Sequence, residues 1–115
     1  MILKTAAIAF LVASTTVAQA DTDKELGGNE LLAQCQRTDF NGRSWCFGYV
    51  MGVSEMFVET GMYGLNACPS ATIPQTQLVD IVVKHLKDNP ADRHIGARYL
   101  IGAALYRAFP CRPKS

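Results

Sequence analysis

Four cysteines, two histidines and Ser54 are the residues of this 115-residue chain first weighed for covalent or metal chemistry. A zinc site built on cysteine commonly shows a C-x₂₋₄-C knuckle, and Cys35, Cys46, Cys68 and Cys111 contain none. His85 and His94 flank the Asn89-Pro90 turn, where a pair of solvated side chains explains them without a metal. A Cys–His nucleophile needs a free thiolate, which paired cysteines deny. Ser54 lies in Gly52-Val53-Ser54-Glu55 within a helical pattern, without the strand-to-helix elbow that exposes a hydrolase serine. No catalytic, cofactor-binding or metal-ligating residue is nominated. The chemistry expected of this chain is disulfide formation by Cys35, Cys46, Cys68 and Cys111, and the expectation is that it is not an enzyme.

The compartment supports that use. Lys4 supplies a positive n-region, Thr5 to Val17 a mostly apolar h-region, and Ala18-Gln19-Ala20 the small-x-small pattern that a signal peptidase accepts. The apolar run is shorter than the roughly 20 residues a bilayer requires, and Thr15 and Thr16 interrupt it. Residues 1–20 are therefore expected to be a cleaved signal peptide and residues 21–115 a single exported helical domain, periplasmic and with no membrane attachment after cleavage. Export places the cysteines in an oxidising environment, where an even count reads as a disulfide framework. Lys4 is the only charged residue of the leader, so the +1 formal charge of the whole chain falls to zero without it. That balance gives no electrostatic case for nucleic acid or an anionic lipid surface.

Four helical segments would position these cysteines, and no convincing strand is present. Residues 21–28 are charged, end in Gly27-Gly28 and read as a loose lead-in. Asn29 is the expected N-cap of a short first helix carrying Leu31, Leu32 and Cys35. Asn41-Gly42 reads as a turn into a second helix from about Ser44 to Thr60. There Cys46, Val50, Val53 and Phe57 recur at helical spacing, and Trp45, Tyr49 and Met56 widen the stripe expected to be buried. Gly48 and Gly52 suggest close approach of another helix. Thr72 and Gln75 have capping-box spacing and open a third helix whose buried face is Leu78, Ile81, Val82 and Leu86. Asn89 as N-cap and Pro90 at N1 would start a fourth, small-residue-rich helix running to about Ala108.

The layout discriminates among the three pairings that four cysteines allow. Cys35 and Cys46 stand across a short turn. With the second, third and fourth helices running up, down and up, Cys68 and Cys111 share the opposite end. At 1.5 Å per residue the second and fourth helices are each about 25 Å long. A disulfide reaches only about 4.4–6.8 Å between Cα atoms. Pairing Cys35 with Cys46 and Cys68 with Cys111 is the arrangement that geometry favours. The expected fold is all-α, a small disulfide-stapled bundle of about four helices.

The order of these features is distinctive. Trp45-Cys46-Phe47-Gly48-Tyr49-Val50-Met51-Gly52-Val53, Cys68-Pro69 before Thr72-x-x-Gln75, Asn89-Pro90, Arg93-His94, Ala104-Leu105 and Phe109-Pro110-Cys111 follow one another behind an exported leader. This resembles the Rap/Tai family of periplasmic immunity proteins across essentially the whole mature chain. The resemblance implies a small helical protein, commonly a homodimer. It would bind a peptidoglycan amidase effector of a type VI secretion system and occlude its substrate groove, so that the producing cell is not lysed by its own toxin.

Effector contacts in such families vary, so no binding residue transfers by resemblance. The loop between Gly61 and Ala67 is nominated from the residues themselves: Met62, Tyr63, Leu65 and Asn66 next to a disulfide would form an ordered apolar tip. The alternative is that the same side chains fold back as a lid over the core. The turn with Asp88, Asp92, Arg93 and His94 is a second surface, with capping and solvated charge as its ordinary explanation. Other functions for such a chain are a small periplasmic stress or acid chaperone, or an envelope protein with this fold and no effector. A neutral mature chain with two histidines offers no particular acid trigger for the former.

Overall fold

A computed structural model describes residues 24–112, together with residues 11, 13 and 14. The leader expected over residues 1–20 lies almost wholly outside the described residues. Four helices follow in order: α1 (Gly28–Cys35), α2 (Phe40–Glu59), α3 (Gln75–Asp88) and α4 (Ala97–Ala108), with a 3-10 turn at Pro90–Asp92 before α4. Among the described residues there are no strands, only three isolated bridges, and no helix is long and apolar enough to cross a membrane. The all-α, disulfide-stapled bundle expected from the sequence is what forms.

Both disulfides pair as expected, Cys35 with Cys46 and Cys68 with Cys111, each with Cα atoms 5.0 Å apart. The first ties α1 to the start of α2. The second ties the segment entering α3 to the chain leaving α4, at the other end of the bundle.

The core between the helices is Leu31 from α1, Val50 and Phe57 from α2, Val82 and Leu86 from α3, and Ile101 and Leu105 from α4, all essentially without solvent contact. Each such side chain contributes about 1.5–3 kcal/mol relative to remaining in water. Phe57 reaches across to α4. Its ring lies where a Cβ on Gly102 would be, so α4 approaches α2 closely only because position 102 has no side chain. The small residues expected along α4 thus serve close packing at position 102. Gly48 and Gly52 do not do the same on α2: a Cβ at either would meet nothing within 4 Å. They face outward, away from the bundle.

Several boundaries move from where local signals put them, each for a tertiary or capping reason. Helix α1 starts two residues early, at Gly28, where Gly28 and Asn29 donate to the carbonyls of Ile95 and Arg93 at 3.0 and 2.9 Å. Asn29 lies inside the helix instead of capping it. Helix α2 starts at Phe40, so Asn41-Gly42 is its first turn and not a linker. Asp39 is the N-cap. Its carboxylate accepts from Gly42 N at 3.4 Å and from the Arg37 guanidinium at 2.8 and 2.6 Å.

Thr72 does not cap α3. Its hydroxyl pairs with that of Ser70 at 2.9 Å in a separate turn, and Pro74 stands at the N-cap position. Asn89 closes α3 instead of opening α4: its amide side chain donates to the His85 carbonyl at 2.8 Å. Pro90 then starts only the short 3-10 turn, and α4 begins at Ala97. The lead-in is docked from Glu25 onward. Ala97 N donates to Leu26 O at 2.7 Å, and Arg98 pairs with Glu25 at 3.1 Å.

Candidate functional site

Residues 61–67 leave α2 and return toward the second disulfide as a tight hairpin-like turn. Met62 N donates to Leu65 O at 3.1 Å, and Leu65 N returns to Met62 O at 2.8 Å. The two residues between them, Tyr63 and Gly64, have φ of +56° and +72°. Positive φ at both central positions is the mark of a primed two-residue turn, where asparagine or glycine is the usual first residue. A tyrosine there carries a conformational cost of about 1–3 kcal/mol, so the turn holds a bulky aromatic at its tip against local preference.

The base of this turn is anchored. Ala67 N donates to Phe57 O at 3.1 Å and Cys68 N to Phe109 O at 2.8 Å, with the Cys68–Cys111 disulfide beside them. The nominated residues then separate into two groups. Met62 and Leu65 are half-buried and pack on the core. Tyr63, 55% exposed, and Asn66 face solvent. Tip and lid are therefore both present in the same seven residues, divided by the alternation of the turn.

Tyr63 does not stand alone. Its ring is 6.5 Å from that of Phe57 and 6.0 Å from that of Tyr99 on α4, both in tilted geometry. Further along α2, Trp45 stacks on Tyr49 with ring centroids 5.1 Å apart and planes within 7°. Arg98, paired with Glu25 at 3.1 Å, lies within electrostatic reach of both Tyr63 and Tyr49. Their ion pair holds the Arg98 guanidinium above its ordinary value, and both charges act on the Tyr49 hydroxyl, which partial burial pushes up. The surface is an aromatic row over α2, the 61–67 turn and α4, with one ion pair set into it.

Trp45 and Tyr49 were expected inside the core stripe. They lie instead at its edge, Trp45 39% exposed, because the stripe through Cys46, Val50, Val53 and Phe57 already fills the face toward the core. Tyr99, Arg98 and Glu25 carried no signal in the sequence as surface partners of Tyr63. They join it only through the packing of α4 and the docking of the lead-in.

The second nominated surface is occupied by local bonding. Lys84 pairs with Asp88 at 2.5 Å, and a His94 ring nitrogen lies 3.0 Å from Ala91 O. The Arg93 carbonyl receives Asn29. His85 is half-buried next to Asn89 and Arg107, and burial lowers its pKa from the ordinary histidine value, with Arg107 adding to the effect. His85 and His94 form no ligand group, and no cluster of three or more metal-ligating side chains occurs among the described residues.

Against known proteins, residues 27–111 match the family model of the Rap1a immunity proteins. No curated protein matches the chain.

Proposed function

The chain belongs to the Rap1a immunity protein family, and from that premise we propose that it acts in the periplasm, binding and occluding a peptidoglycan amidase delivered by a type VI secretion system. Family membership implies immunity against a secreted effector, which requires a partner-binding surface and no chemistry from the inhibitor. The observation that carries the reading is Tyr63, held at the tip of a strained primed turn whose base is locked by a disulfide. An aromatic group pre-positioned on a rigid turn loses little entropy on binding and suits the centre of a water-excluding contact. We assign Met62, Tyr63, Leu65 and Asn66 to that contact, with Tyr63 and Asn66 touching the effector and Met62 and Leu65 supporting the turn from below. Tyr99 extends the contact on α4.

The outward face of α2 is the place for a second copy. Gly48 and Gly52 leave a shallow, side-chain-free strip next to the Trp45–Tyr49 stack, which suits close approach of an equivalent helix in a homodimer. The signal-like pattern of residues 1–20 supports the periplasmic assignment, as does the pairing of all four cysteines in disulfides.

Mixing the oxidised protein with the amidase encoded beside its gene tests the function directly. A tight stoichiometric complex with loss of peptidoglycan cleavage is the expected result. Undiminished cleavage without a complex rejects immunity against that enzyme. Broad binding of unfolded proteins at low pH would point to a chaperone instead.

A further inference from the structure

A second apolar stripe runs along α2 on the side away from the aromatic row. Phe47, Met51, Ser54 and Val58 recur at i, i+4, i+7 and i+11, and they face α3 across an open seam. Near the end of α2, Met51 and Val58 meet Ile73 and Leu78 around a groove of about 490 Å³. A smaller depression of about 180 Å³ continues the seam between Phe47 and Val79. The stripe is about 16 Å long at 1.5 Å per residue, the length of three helical turns. The floor makes no polar demand, because the buried Ser54 hydroxyl already donates to Val50 O at 2.5 Å.

The rim is acidic. Glu55 and Glu59 border the large groove and Asp80 the small one, against a single cation, Arg43, at the far end. None of the three carboxylates is in an ion pair among the described residues, although the chain pairs Asp39, Asp88 and Glu25 elsewhere. An apolar trough three helical turns long, rimmed on the α2 side by carboxylates one turn apart, is complementary to one kind of occupant.

We propose that the α2–α3 seam docks a cationic amphipathic helix of the effector, its apolar face on Met51, Val58 and Leu78 and its lysines or arginines on Glu55, Glu59 and Asp80. Anchors at i, i+3 or i+4 and i+7 are how such grooves read a helix. This rests on the immunity reading. The chain leaves the groove at Glu59 and re-enters it at Pro69, with the nominated turn between, so the seam is a contact separate from Tyr63.

The test compares the effector affinity of the oxidised wild-type protein, the E55Q/E59Q/D80N variant, Y63A and E30Q at low and high salt. Glu30 is an exposed carboxylate on α1, outside the seam. The expected result is a wild-type Kd that rises with salt, a triple-variant Kd raised about tenfold or more at low salt, and a flattened salt dependence. E30Q should match wild type, and Y63A should bind more weakly yet keep the wild-type salt dependence. A complex whose Kd and salt dependence survive the triple substitution overturns the seam and leaves immunity standing. An equal effect of E30Q also overturns it, showing general charge steering. No wild-type complex rejects the immunity reading and this occupant together.

Discussion

The ring of Phe57 occupies the position that a Cβ on Gly102 would take, so α2 and α4 are in contact through one aromatic edge and one absent side chain. The same ring lies 6.5 Å from Tyr63. Core packing and the candidate contact surface are thereby joined at one residue.

Gly102→Ala is expected to overpack this contact and lower stability by about 1–3 kcal/mol, despite the better helix propensity of alanine. Phe57→Ala should cost about 3–5 kcal/mol through the cavity it leaves. Combining Gly102→Ala with Phe57→Leu should recover part of the loss, a non-additivity measurable by urea denaturation of wild type, Gly102→Ala, Phe57→Leu and the double variant. Additive losses would show that the two residues do not share the contact.

Tyr63→Asn tests strain against function. Asparagine tolerates positive φ far better than tyrosine, so the variant should match or exceed wild type in thermal stability. Its inhibition of the effector should fall by about thirtyfold or more, as loss of a dominant aromatic anchor implies. An unchanged inhibition constant would remove Tyr63 from the contact.

The glycines of the outer α2 face separate folding from assembly. Gly48→Ala and Gly52→Ala should each stabilise the monomer by up to about 1 kcal/mol, since a Cβ there meets nothing within 4 Å and alanine favours helix. Analytical ultracentrifugation should show any dimer weakened by the same changes. A dimer that persists with both alanines places its interface elsewhere.

The two disulfides should contribute unequally. The chain-entropy model gives about 3 kcal/mol for the Cys35–Cys46 loop and about 4 kcal/mol for Cys68–Cys111, whose sequence separations are 11 and 43. Removing Cys68–Cys111 should also raise hydrogen exchange across residues 61–68 and weaken inhibition. Removing Cys35–Cys46 should lower stability while leaving exchange in that turn unchanged.

His85 sets an acid dependence. Its folded pKa lies below the ordinary value of 6.5 because burial and then Arg107 disfavour the imidazolium. The unfolded chain therefore binds the extra proton more readily. The contribution to stability is complete above pH 6.5 and is lost as pH falls through that value toward the folded pKa. Denaturation curves between pH 7.5 and 5 should show this loss, and His85→Gln should flatten it.

Sequence alone determined the element types and the covalent plan. Periodicity marked the helices because a buried stripe repeats every 3.6 residues wherever the helix packs. Helix length against the short reach of a disulfide selected the pairing from three choices. Tertiary structure decided what depends on groups distant in sequence. Helix α4 waits until Ala97, whose N–H donates to Leu26 O of the docked lead-in. Tyr63-Gly64 carried no hairpin signature, since tyrosine is a poor first residue for a primed turn. The turn is held because the chain leaving it is tied, Ala67 to Phe57 and Cys68 to Phe109, by bonds that no local pattern contains. The aromatic row and the acidic seam are surfaces of the packed bundle, composed of side chains up to tens of residues apart, and come into being only when the helices meet.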